Sequence, residues 1–354
     1  MVHKCEKSFY GLFFLGRLHS RNQTSIVRKS PRYFFISFEM PNFANMKFTF
    51  TLLRGLWWLA GSLPMRLLYD ISDVLIFPLL YHVLRYRRRL VSRNLRDEPP
   101  ERTDEELRRV ERDFYHWLAD YFVEVLKERA ISPDEMRRRM VITNLADIEA
   151  SLRDEGTRHA FLYLGHFGNW EWVASLPLAS TQRQEQTFGQ IYHPLHSPLA
   201  DALFLDLRGR FGARSIAMKE TLRAILTLQR QGQRSMVGFI SDQSPKIEAM
   251  HHWTDFLHHE TSFFTGAEKI GQKVGARYFY LDMTRPRRGY YRATLVEIKA
   301  EPTSERPFPV TDAYARLLEQ SIRATPHLWL WTHNRWKRTR AHWDEYCARH
   351  QRQD

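Results

Sequence analysis

Only two cysteines, Cys5 and Cys347, stand at opposite ends of the 354 residues. So small a supply excludes a disulfide framework, a cysteine-rich zinc site and a central cysteine nucleophile, and it fits a reducing compartment. No Gly-x-Ser-x-Gly elbow is present either, so the sequence does not suggest a covalent acyl-enzyme. Long apolar runs are missing as well. From Phe48 to Leu84 the chain is dense in Leu, Trp, Phe and Ile, yet Arg54, Arg66, Asp70 and Asp73 interrupt it and Pro64 and Pro78 break any helix. No run reaches the ~18 to 20 apolar residues that a spanning helix needs, so a re-entrant or surface-lying anchor is expected rather than a clean span.

What is present is basic and aromatic. A net charge of +13 calls for an anionic partner, and 43% hydrophobic content suffices for a sizeable core. Ten tryptophans are set among arginines and lysines, as in "RGLWW" and "WLWTHNRWKRTR", a pairing suited to a membrane interface as well as to a core. The run "RYRRRLVSRNLR" follows the apolar stretch directly. In that place it reads as a juxtamembrane cluster for an anionic leaflet, at about 1 kcal/mol per charge, though a solvated helix face has the same composition. The tryptophan-rich C-terminal run could stack on nucleic acid, but no nucleic-acid fold signature accompanies it, and no nucleic-acid partner is expected.

Three segments are expected. Residues 1–45 lack periodicity and read as a mis-assigned start or a disordered extension. Residues 46–98 form an apolar helical anchoring segment with its basic cluster, and residues 99–354 a catalytic domain. That domain opens with a long amphipathic helix, announced by the capping box of Thr103 and Glu106 and carried by Leu107, Val110, Phe114, Trp117, Leu118, Tyr121, Val125 and Leu126. Short apolar runs follow: "HAFLYLG", "QTFGQIYHP", "SMVGFISDQ", "ARYFYLDMTR" and "YYRATLVEI". Between the third and fourth, "TSFFTGAEKIGQKVGA" reads as a helix ending at a glycine. Strands alternating with helices predict an α/β fold, with a mixed, mostly parallel sheet flanked by helices.

The stretch "FLYLGHFGNWEW" places His166 and Glu171 five residues apart. On one helix they would diverge by about 140°. Gly165, Gly168 and Asn169 supply a bend, however, and a strand–turn–helix passage would bring Glu171 back toward His166. A carboxylate on one ring nitrogen fixes the tautomer and makes the other nitrogen a general base for a hydroxyl. The competing reading is a buried histidine near an unrelated carboxylate. The histidines of "HHWTDFLHHE" (His251, His252, His258, His259) match no metal-ligand spacing, so they read as a surface loop. No metal and no cofactor is expected.

"LGHFGNWEW" resembles the His-x-x-x-x-Glu block of the late acyltransferases of lipid A biosynthesis, the lauroyl and myristoyl transferases within the lysophospholipid acyltransferase superfamily. Five further stretches resemble that family in the same order: "SDVLIFPLLYHVLRYRRRLVSRNL", "IYHPLHSPLADALFLDLRGRFG", "MVGFISDQSPK", "WTDFLHHETSFFTGAEKIGQKVGARYFYLDMTR" and "IRATPHLWLWTHNRWK". The resemblance implies a glycerolipid-acyltransferase-like fold and transfer of a fatty acyl chain from acyl carrier protein to a hydroxyl of a lipid A precursor. It implies the cytoplasmic face of the inner membrane, with anionic lipids as a further partner. His166 would be the base and Glu171 its orienting group, with Asn169 near the substrate. Arg208, Arg210 and Arg214 would meet phosphate or the developing oxyanion, and Asp242 would shape the site. His193 departs from the basic residue usual in the family at its position. The nearest alternatives are a glycerolipid or amino-acid lipid acceptor and, in another class, a non-catalytic basic binding module.

Overall fold

A computed structural model of the chain describes residues 43–97 and 102–350, so the expectation for the N-terminal extension lies almost entirely outside the described residues. The first helices are α1 (Phe43–Ser62), α2 (Met65–Ile71) and α3 (Arg88–Arg96), with two π-helical turns, Ser72–Ile76 and Leu79–Val83, between the last two. No single described helix is long and apolar enough to cross a membrane. Residues Met65–Val83 and Arg88–Arg96 satisfy length and composition only as a pair bent by 79°. Phe48, Leu52, Leu56, Trp58 and Leu59 of α1 are exposed, as are Val74, Leu75, Val83 and Leu84 beyond it. The basic run is not wholly outward. Arg87 donates to the Thr332 carbonyl, Arg88 pairs with Glu111 and Arg93 donates to Asn334, while Arg85, Arg89 and Arg96 remain exposed.

Helix α4 (Asp104–Glu128) is the spine of the molecule. It starts at the expected capping box: the Glu106 carboxylate accepts the Thr103 N–H at 2.7 Å, and the Thr103 hydroxyl accepts the Glu106 N–H at 3.3 Å. Asp104, Glu105 and Glu106 lie at the positive end of its dipole. Phe114, Trp117, Leu118, Tyr121 and Val125 are buried, each worth about 1.5–3 kcal/mol for an aliphatic or phenyl side chain removed from water. α1 crosses α4 closely. A Cβ on Gly61 would stand 2.5 Å from the Leu126 carbonyl oxygen, so only glycine permits this approach.

The remaining elements are α5 (Pro133–Arg139), β1 (Met140–Ile142), α6 (Leu145–Asp154), β2 (His159–Leu164), β3 (Gln186–Tyr192), α7 (Pro198–Gly209), β4 (Arg214–Ala217), α8 (Thr221–Arg230), β5 (Arg234–Ile240), β6 (Trp253–Phe256), β7 (His259–Ser262), α9 (Gly266–Val274), β8 (Arg277–Arg287), β9 (Tyr290–Ile298), α10 (Pro309–Ala324) and α11 (Arg340–His350). The five apolar runs seen in the sequence are β2, β3, β5, β8 and β9. Seven strands form one sheet in the order β1-β9-β8-β2-β5-β3-β4. All pairings are parallel except β8 with β9, which gives the mixed, mostly parallel sheet expected.

Every residue of central β2 is buried, as a strand covered on both faces requires. Leu162 and Leu164 point to one face. Phe161 and Tyr163 point to the other, where Tyr163 meets Tyr314 of α10 with ring centroids 5.1 Å apart. The segment "HHWTDFLHHE" corrects the sequence reading: it is not a loop but largely the hairpin β6–β7, turning at Leu257 and His258 with both φ positive. The alternation Trp253, Thr254, Asp255, Phe256 is short and polar, which hid the strand. Two of its histidines have local tasks, His252 on Asp312 at 2.6 Å and His259 against Trp336, with the rings tilted by 36°.

Candidate active site

The carboxyl ends of β2, β5 and β3 share one rim, the place where open parallel sheets hold ligands. β2 and β5 run in register, with Leu164 opposite Ile240, and the pairing continues as the Ser241 N–H donates to the Leu164 carbonyl. Two residues further along each chain stand His166 and Asp242. The His166 Nδ1 lies 2.7 Å from Asp242 Oδ1, and the His166 backbone N–H donates to Asp242 Oδ2 at 2.9 Å. Trp329 Nε1–H, at 2.8 Å, also donates to Oδ2.

Burial alone would raise the Asp242 pKa. The charge of His166 and the donated hydrogen bonds overcome it and bring the carboxyl down to about 2, so Asp242 is a carboxylate. It therefore fixes the proton of His166 on Nδ1 and leaves Nε2 as the basic nitrogen, with the Gln243 side-chain amide 3.2 Å away.

The backbone around His166 is held from the C-terminal side. Leu330 N–H donates to the His166 carbonyl at 3.0 Å, and Gly168 N–H to the Leu328 carbonyl at 2.9 Å. Gly168 has φ of +60°, and a Cβ there would lie 2.4 Å from Met283 Sδ, so the bend depends on glycine. Asn169 then caps the 3₁₀ helix Trp172–Leu178. Its Oδ1 accepts the Trp172 N–H at 3.1 Å, while its Nδ2 donates to Glu124 at 2.8 Å. Trp170 stacks on Tyr121 and meets the His166 ring edge-on at 5.0 Å.

These contacts redistribute the roles expected from sequence. His166 stands just beyond a strand end and Glu171 at the start of the next helix, and both side chains line one cavity. Yet the carboxylate on His166 Nδ1 is Asp242, from 76 residues away, where Glu171 had been expected. Glu171 instead receives a two-pronged ion pair from Arg208, 2.8 Å to Nε and 2.6 Å to the terminal nitrogen. A carboxylate so engaged, 3% exposed, is committed to holding a guanidinium at the cavity wall.

Behind it on α4, Glu128 is sealed without a hydrogen-bond partner among the described residues, and burial followed by the adjacent Glu171 charge hold it well above the usual carboxylate range. Arg210 does not face the cavity; it donates to the Glu128 and Ile131 carbonyls and braces the end of α4. Arg214 opens β4 exposed to solvent and outside the cavity lining. Asn169 is a buried structural cap.

The cavity has a volume of about 440 Å³ and a mostly apolar wall. Leu162, Leu164, Phe239 and Ile240 of the sheet line it, with Val173 and Leu176 of the 3₁₀ helix and Ala267 and Ile270 of α9. His166, Glu171, Arg208, Gln243, Lys246, His333 and Lys337 are among its polar lining residues. Gln243, His333 and Lys337 have no role in the sequence reading. His333 and Lys337 stand more than 160 residues from His166, and no local pattern joins them to it. Among the described residues, no group of three or more His, Cys, Asp or Glu side chains is placed to hold a metal. An oriented imidazole in the wall of an apolar cavity can deprotonate a hydroxyl presented beside a long hydrocarbon chain.

Residues 37–338 match a family described as bacterial lipid A biosynthesis acyltransferase. No curated protein matches the chain.

Proposed function

The chain belongs to the bacterial lipid A biosynthesis acyltransferases and is an acyltransferase enzyme of that pathway, and we propose that it moves a fatty acyl chain from acyl carrier protein to a hydroxyl of a lipid A precursor, with His166 as general base. The observation that carries this reading is the 2.7 Å contact with Asp242 of His166 Nδ1, whose ring lines the apolar cavity. His166 Nε2 takes the proton of the acceptor hydroxyl as its oxygen attacks the thioester carbonyl. The tetrahedral intermediate collapses, the C–S bond breaks, and the imidazolium returns the proton to the leaving thiolate. The new bond is an ester and the released group a carrier thiol, so atoms and charge balance without a metal or redox step. Arg208, held by Glu171, supports the polar end of the site, where a phosphate or carbonyl oxygen of either substrate can accept from it.

The exposed apolar side chains of α1 and of the π-helical turns, followed by Arg85, Arg89 and Arg96, support attachment to the cytoplasmic face of an anionic inner membrane. Both substrates would then be met at the surface, the carrier from the aqueous side and the acceptor from the bilayer. Mass spectrometry of lipid A with and without the gene tests the acceptor. Loss of one acyl chain on deletion, restored by the wild-type gene and not by a His166→Ala copy, is the expected result. Unchanged lipid A with altered glycerolipids would reject it.

A further inference from the structure

Position and hydrogen bonding give His333 a task that the general base cannot perform. It follows Trp331 and Thr332 in the C-terminal turn whose Leu328 and Leu330 hold the His166 backbone, and its main chain is fixed in turn: Asn94 Nδ2 donates to its carbonyl, and its own N–H donates to Leu330. His333 is only 8% exposed and lines the same cavity as His166. The Ser244 backbone N–H donates to His333 Nε2 at 3.2 Å. A nitrogen that accepts carries no proton, so the neutral ring is protonated at Nδ1. That Nδ1 has no acceptor among the described residues and is not one of the buried polar atoms sealed without a partner. Burial and then the nearby Lys337 and Arg335 push the imidazole well below its usual pKa, so it stays neutral.

Resting on the acyl-transfer reading above, we propose that His333 is an oxyanion donor: its Nδ1–H hydrogen-bonds the thioester carbonyl oxygen and strengthens as that oxygen becomes negative in the tetrahedral intermediate. No proton is transferred. His166 moves the proton and His333 stabilises charge, a division of labour between two histidines in different electrostatic settings. Ser244 immediately follows Gln243, the residue beside His166 Nε2, so one short segment adjoins both rings. A neutral ring suits the task, since it donates without drawing a counter-carboxylate into the cavity.

The test uses the full-length enzyme in the His166→Ala background, so that bound substrate does not turn over, loaded with acyl carrier protein bearing a ¹³C-carbonyl fatty acyl thioester. The labelled carbonyl band in the infrared is expected to lie at lower frequency than in free acyl carrier protein. It returns to the free position when His333→Phe is added and stays lowered with His333→Gln, whose amide can both accept from Ser244 and donate. With His166 restored, His333→Phe lowers kcat about 10²- to 10³-fold with KM unchanged.

A band that is lowered equally with and without His333, in protein that binds the thioester and retains its melting temperature, overturns the proposal and leaves the acyl-transfer reading standing. Failure of the thioester to bind even with His333 intact overturns both.

Discussion

His166 and Asp242 stand two residues beyond a register pair, Leu164 and Ile240, on neighbouring parallel strands, and their side chains meet at 2.7 Å. The sheet itself sets this distance, because adjacent parallel strands bring equivalent positions together wherever the register continues. Asp242→Asn keeps the shape and removes the charge that stabilises the imidazolium. It is expected to lower kcat about 10²- to 10⁴-fold with little change in KM, read from steady-state acyl transfer. Activity within a factor of two of wild type would remove Asp242 from the mechanism.

The same carboxylate gives the fold an acid-side dependence. Its folded-state pKa is depressed from 3.8 to about 2, so its contribution to stability is fully present above the unfolded value and is lost as the pH falls through about 2. Unfolding free energies measured between pH 5 and 2, for wild type and for Asp242→Asn, are expected to converge toward the acid end. Parallel curves would show that the depressed value contributes nothing.

Glu171 and Arg208 form a pair whose halves cannot be removed singly without cost. Arg208→Met leaves the Glu171 charge buried and is expected to destabilise by about 3–5 kcal/mol in denaturant titration. Glu171→Leu combined with Arg208→Met is expected to recover much of that stability and none of the acyl transfer. Recovery of activity in the double variant would reduce the pair to a scaffold.

Gly168 shapes the bend that follows His166. Gly168→Ala meets both a positive φ and the Met283 sulfur, and is expected to cost about 1–3 kcal/mol and to lower activity by displacing His166. Adding Met283→Ala relieves the contact but not the backbone strain, so only part of the loss in melting temperature is expected to return.

Val74 and Leu75, 79% and 61% exposed, lie in the first π-helical turn. Each such side chain inserted into lipid is worth about 1.5–3 kcal/mol. Val74→Asp with Leu75→Asp is therefore expected to weaken co-sedimentation with anionic vesicles at least about tenfold, while fold and detergent-solubilised activity persist. Unaltered vesicle binding would place the membrane contact elsewhere.

Much of this arrangement could be read from local sequence. The Thr103–Glu106 box, the apolar stripe behind it and five apolar runs carry their own periodicity, and they became α4 and five of the seven sheet strands. The bend at Gly165–Asn169 was legible because glycine and asparagine mark turns. The partner of His166 was not, because it depends on strand register between segments 76 residues apart, and the nearer Glu171 offered a local substitute. A sequence clue did exist: "LGH" and "SDQ" each end an apolar strand, so a parallel pairing would align His166 with Asp242. The β6–β7 hairpin escaped because its strands are four residues each and its turn uses Leu257 and His258, where Asn-Gly would have announced it. Arg210 and Arg214 lie close to Arg208 along the chain, yet the end of α7 turns one inward to carbonyls and the start of β4 sends the other to solvent.

The most direct measurement is in vitro transfer from acyl carrier protein to a purified lipid A precursor, with product mass and initial rate recorded for wild type and for folded His166→Ala. The expected result is a product heavier by one acyl group, formed about 10²- to 10⁴-fold more slowly by the variant. The same product at the same rate from His166→Ala would contradict the assignment of the base and, with it, the account of the site.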